Sequence, residues 1–137
     1  MPLEAVRYAL RGGLWRLAAD IVGVHIVPLV IGGRPRDLHV ELGSTPREVI
    51  WAHPELASAL AGARVMEGRS EEVAQLVAVS RAGMADLSPP RARRTEVVLN
   101  LIEAGLARLT GDLPRVIAAC RRVPEDVPAL SRLGLVD

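Results

Sequence analysis

Three histidines, one cysteine and a few charged clusters are the side chains with which this 137-residue chain would do chemistry. His25, His39 and His53 share no ligand spacing with one another, with Cys120 or with a carboxylate pair, so no metal site is expected. Each histidine reads as an exposed or hydrogen-bonded side chain. Cys120 has no second cysteine to pair with and falls on an apolar helix stripe, which suits a buried, inert thiol in a reducing cytosol. Glu71-Glu72 does not read as an acid–base pair, because adjacent helix positions diverge by about 100°; both carboxylates are expected in the first turn of a helix, where its dipole favours them. Arg91, Arg93 and Arg94 form one basic cluster and Arg121-Arg122 a second, and both read as solvated helix ends in preference to anion contacts. No nucleophile–base pair or ligand cluster emerges, so the expectation is a non-catalytic protein with no catalytic, cofactor-binding or metal-binding residue.

Composition narrows the partners. Half of the residues are hydrophobic and the formal net charge is +1 with both signs interspersed, which fits a folded chain of ordinary domain size and gives no footprint for nucleic acid or an anionic membrane. All seventeen basic residues are arginine, which leaves no lysine for a nucleotide loop or a Schiff base. Tyr8, Trp15 and Trp51 are the whole aromatic set, too few for a base-stacking platform. Trp51 is expected as a core anchor because of its size. The apolar run from Ile21 to Ile31 contains His25 and Pro28 and is far shorter than the ~20 residues of a spanning helix. A soluble, cytoplasmic protein is expected.

The elements that must position these residues are helices joined by a recurring turn. Gly68 and Gly111 each follow an apolar code at the same offsets: Leu56, Ala59, Ala63 and Met66 before the first, Leu99, Ile102, Leu106 and Leu109 before the second. After them come Val73, Leu76, Val77 and Ser80, and Val116, Ala119, Cys120 and Val123. Gly13 begins a third copy, with Ala18, Ile21, Val22 and His25 in the matching places, and Gly32-Gly33 a weaker fourth. A repeated helix–turn–helix unit predicts an all-α superhelix of tetratricopeptide-like antiparallel hairpins, about seven or eight helices in one domain over 1–137. Its parts are weak N-terminal hairpins (1–45), clearer units (46–85 and 86–124) and a short tail (125–137) that holds a terminal turn or helix.

Local signals place the ends. Gly12-Gly13 closes a helix over Leu3–Leu10, and Leu14 to Val24 continues helically with Leu17, Ala18, Ile21 and Val22 on one face. Residues 21–45 read as two helices broken near Pro28, although their β-branched and alternating runs around Gly32-Gly33 also suit a β-hairpin. Thr45-Pro46-Arg47-Glu48 has the form of a capping box, Pro54 restarts the chain, and Ser70 precedes the next helix. Ser88-Pro89-Pro90 opens the longest helix, which runs to about Thr110; Asp112 caps the helix that follows, and Pro124 and Pro128 end the regular array.

His53-Pro54-Glu55-Leu56-Ala57, the segment Met66 to Glu72, Leu87 to Arg94 and Ala107 to Leu113 together resemble the helical repeat region of MalT-like, LuxR-family transcriptional activators. Gly12-Gly13-Leu14-Trp15 and Val30 to Arg34 fit the same region, so the resemblance spans nearly the whole chain through degenerate motifs. It implies a sensor segment, excised or free-standing, from a regulator that also carries an ATPase and a DNA-binding helix-turn-helix. The large aromatics of ordinary tetratricopeptide repeats are replaced by Ala57, Arg64 and Val77, so their usual peptide binding is not carried over. The implied partner is a protein or a small-molecule inducer on the concave face, with no direct nucleic-acid or membrane binding and with homo-oligomers compatible; the alternative is a stand-alone scaffold. Glu55, Ser58, Asn100 and Arg108 lie opposite the packing stripes of the first helices and are the expected ligand or partner contacts.

Overall fold

Apolar residues at helical spacing become helices throughout the computed structural model, which describes residues 2–30 and 35–112 together with Pro114, Ile117 and Ala118. In chain order they are α1 (Pro2–Arg11), α2 (Trp15–Val30), α3 (Pro35–Gly43), α4 (Arg47–Ala52), α5 (Pro54–Met66), α6 (Val73–Gly83), a 3-10 turn (Met84–Asp86) and α7 (Pro89–Thr110). The all-α class and the number of helices are as the sequence predicts. Of residues 21–45, those described are helical, in α2 and α3, and not a hairpin; Gly32-Gly33 lies outside the described residues. The break attributed to Pro28 falls at His25 (φ −113°, ψ 19°). A proline ring crowds the carbonyl four residues back, here that of Val24, and has no N–H to offer it, so the backbone bends just after that residue.

The glycine turn recurs as three copies of one hydrogen-bonded motif. Gly13, Gly68 and Gly111 all have positive φ, between 72° and 77°. In each, the residue after the glycine donates its N–H five residues back, and the glycine donates three back. The bonds are Leu14 to Ala9 (2.8 Å) and Gly13 to Leu10 (3.2 Å), Arg69 to Arg64 (2.8 Å) and Gly68 to Val65 (2.9 Å), Asp112 to Ala107 (2.9 Å) and Gly111 to Arg108 (3.2 Å). This is the Schellman closure, which satisfies the last helical carbonyls and needs a residue at ease in the left-handed region. The flanking code has structural meaning too. Leu56, Ala59 and Ala63 are buried like their counterparts Leu99, Ile102 and Leu106, while Met66 and Leu109 are both nearly half exposed. Val73, Leu76, Val77 and Ser80 are buried, as are Ala18 and Val22. Val116, Ala119, Cys120 and Val123, like Arg121-Arg122, Pro124, Pro128 and the tail, lie outside the described residues.

These helices gather around α5. It touches α2, α3, α4, α6 and α7, and every residue from Glu55 to Ala63 is buried. A helix enclosed on all sides must be apolar or small all round, and Ala57, Ser58, Ala59, Ala61, Gly62 and Ala63 let neighbours approach closely. A Cβ on Gly62 would stand 2.7 Å from a Val30 methyl of α2, and one on Gly105 of α7 would stand 2.6 Å from Val65 of α5. The contacts define this gathering; superhelical stacking is a finer arrangement than they specify.

Three local expectations are corrected. Thr45 does not cap α4: its hydroxyl donates back to the Glu41 carbonyl (3.0 Å), closing α3, and Pro46 occupies the cap position of α4 without a side-chain bond. Ser70 and Glu71-Glu72 do not make the first turn of α6, which starts at Val73. Glu72 precedes it in the left-handed conformation (φ 62°), and its carboxylate accepts from Arg64 (3.1 Å), which holds its pKa below the ordinary range. Trp51 is not a core anchor. On the six-residue α4 it is Ile50 that turns inward, and Trp51, one step round the helix, is 45 % exposed under the Arg47 guanidinium, 4.6 Å from the ring centre.

Because an L-residue in the left-handed helical region costs about 1–2 kcal/mol, Gly68→Ala and Gly111→Ala are each expected to lower stability by about 1 kcal/mol or more, read from urea midpoints at constant m-value.

Candidate functional site

The enclosure of α5 decides the fate of its one charged residue in the buried stretch. Glu55 lies in the first turn of α5 facing α2, where Gly23 has no side chain and leaves the space its carboxylate fills. From α7, Arg91 Nε donates to Glu55 Oε2 (3.0 Å) and Arg91 Nη2 to Oε1, a bidentate pair. The same Nη2 reaches Asp20 Oδ1 of α2 (2.9 Å). The Glu55 side chain is 2 % exposed, Arg91 29 % and Asp20 50 %, so the cluster runs from the core to the surface and ties three helices together. Burial pushes the Glu55 carboxyl above its ordinary range against the pull of Arg91, while the Glu55 and Asp20 carboxylates hold the guanidinium charge more firmly; burial weighs on the carboxylate more than the pairing returns to it. Arg94 stands nearby with its Nε buried and unpartnered.

This corrects two readings. Arg91 belongs to an interhelix ion pair and not to a solvated helix end. Glu55, Ser58 and Asn100 are not on an open face: all three are buried, and of the four expected contacts only Arg108 is exposed. Ser58 donates to the Glu55 carbonyl (3.0 Å), and Asn100 accepts from Arg81 (3.3 Å). Opposite the packing stripe of α5 there is a second packing surface, because five helices enclose it. Other charges are consumed in the same way. Arg81 of α6 meets Glu96 (3.3 Å) and Glu103 (2.9 Å) of α7, and Glu41 of α3 accepts from Arg7 (2.8 Å) and Arg11 (3.1 Å) of α1.

Two surfaces keep groups that face outward. The first lies where α3 meets the end of α5. The Gly68 closure fixes Glu67 and Arg69 beside His39, whose Nδ1 is 2.7 Å from Glu67 Oε1; both side chains are 17 % exposed. Arg36, His39, Val40, Ser44, Glu67 and Arg69 surround an open concavity of about 380 Å³. His39, with no ligand spacing in the sequence, therefore has a carboxylate partner 28 residues away that no linear pattern signals. His53 bonds the Val49 carbonyl through Nδ1 (2.8 Å), and His25 sits at the α2 kink.

The second surface is the outer side of α2. Leu14, Leu17 and Val24 are each about half exposed and Pro28 is exposed, with partly buried Ile21 between them. Their spacing of three and four residues places them along one side of the helix. Ala18, Ala19, Val22, Ile26 and Leu29 occupy the inward side, so Leu17 leaves the face on which the sequence placed it with Ala18 and Val22. Tyr8 of α1, 80 % exposed, continues this apolar surface and shares a groove with Leu14.

Among the described residues there is no group of three metal-ligating side chains, and no helix is long and apolar enough to cross a membrane. No family model, curated protein or solved structure matches the chain.

Removing Arg91 leaves a buried carboxylate unpaired, so Arg91→Ala is expected to cost about 3 kcal/mol or more at neutral pH. The raised pKa of Glu55 makes its contribution largest below about 4.5, the unfolded value, and lost as pH rises through the folded value. Urea unfolding across that window should show the wild type losing stability relative to Glu55→Gln as pH rises; a gain would contradict the dominance of burial.

Proposed function

We propose that this chain is a non-catalytic sensing and protein-interaction module, of the kind that the helical repeat region of MalT-like, LuxR-family regulators provides. The observation that carries it is the outward apolar side of α2. Leu14, Leu17, Val24 and Tyr8 stay in solvent while Val6, Ala9, Leu10, Ala18, Ala19, Val22, Ile26 and Leu29 of the same helices are buried, and contiguous exposed apolar surface is characteristic of a contact site. The chemistry-bearing side chains give secondary support: Glu55, Arg91, Arg81, Glu103 and Glu41 are committed to ties between helices, a disposition suited to transmitting a change of packing. A partner seated on α2 would act on attached domains by biasing how α2 packs on α5. The regulator reading further rests on the resemblance of the glycine-turn segments. A reading frame that encodes an ATPase and a helix-turn-helix with this chain supports it, and a frame with neither favours the stand-alone scaffold.

The contact surface is tested by a photocrosslinking amino acid placed at Leu17. A discrete crosslinked species, either a partner or a second copy, is expected, and Val24→Glu should abolish it while changing stability by no more than about 0.5 kcal/mol. Absence of any species, or one indifferent to Val24→Glu, overturns the reading.

A further inference from the structure

The concavity between α3 and the Gly68 turn is lined by two guanidinium groups and one carboxylate. Its single carboxylate, Glu67, is already engaged: Oε1 meets His39 Nδ1 at 2.7 Å, and Oε2 lies 3.9 Å from Arg69 Nε. Two guanidinium groups line the concavity with it. Arg36, in the first turn of α3, has no partner among the described residues, and Arg69 is 58 % exposed and only loosely paired. The Nδ1 contact with the Glu67 carboxylate holds the His39 ring beside these two groups. Guanidinium groups match the planar, multidentate geometry of phosphate and carboxylate oxygens. About 380 Å³ of space is of the size that takes a small molecule.

We propose that this concavity binds the oxyanion group of a small molecule, a phosphate or a carboxylate, between Arg36 and Arg69, beside the ring of His39. The proposal deepens the sensing half of the reading above and is independent of the α2 surface. Glu67 is a positioning residue: it fixes the His39 ring, and the Gly68 closure fixes Glu67 and Arg69. Ligand charge drawn between α3 and the end of α5 would tighten that junction, which is how occupancy reaches the packing of α5.

Inorganic phosphate and, separately, acetate are the probes, titrated at fixed pH and constant ionic strength while the three histidine rings are followed by NMR. A saturable shift of His39, with His25 and His53 unmoved, is expected with at least one probe, and which probe saturates identifies the oxyanion. The double variant Arg36→Gln, Arg69→Gln should weaken it at least about tenfold with an unchanged circular dichroism spectrum. Equal shifts in all three rings, a non-saturating response to both probes, or undiminished affinity in the double variant overturns the proposal. Absence of saturable binding in the wild-type protein with the Leu17 crosslink intact refutes the anion site alone and leaves the interaction surface standing.

Discussion

Enclosure of α5 is the constraint on which the rest of this molecule depends. From Glu55 to Ala63 this helix, surrounded by five neighbours, has no solvent face, so its side chains there must be small or find partners inside. Alanine, serine and glycine meet the first demand and bring α2 and α7 close. Glu55 meets the second only because Arg91 crosses from α7 and Gly23 leaves room on α2. Buried ion pairs add little net stability compared with apolar packing, but they strongly penalise the wrong arrangement. Here that penalty falls on any packing that separates α2, α5 and α7.

The glycine closures give the chain its turns and also its outward chemistry. Ending α5 by the Schellman pattern delivers Glu67 and Arg69 to α3, where His39 waits. A glycine chosen for backbone reasons thus determines where a carboxylate and a guanidinium stand relative to a histidine far away in sequence.

The turns were legible in the sequence because they are local: a glycine after an apolar code states its own conformation, and the start of α7 at Ser88-Pro89 is equally self-contained. Burial of α5 was harder to read. Its apolar stripe, Leu56, Ala59 and Ala63, is visible, but alanine and serine on the opposite side look the same whether they face water or a close-packed helix. That ambiguity points Glu55 and Ser58 toward an open groove where the structure has a core, and Asn100 of α7 is buried too, against Arg81 of α6. The pairings Glu55–Arg91 and His39–Glu67 span 36 and 28 residues and have no linear signature. Thr45 and Trp51 were misplaced for a related reason: a cap and an anchor each depend on which neighbour arrives first, and α3 captured the Thr45 hydroxyl.

Native-state amide hydrogen exchange reads the central claim directly. If α5 is the enclosed axis, amides from Leu60 to Val65 exchange only through global unfolding, with the free energy of the whole molecule, while those of the short, partly exposed α4 exchange by local opening at much lower cost. An α5 that exchanges as readily as α4 would contradict the account.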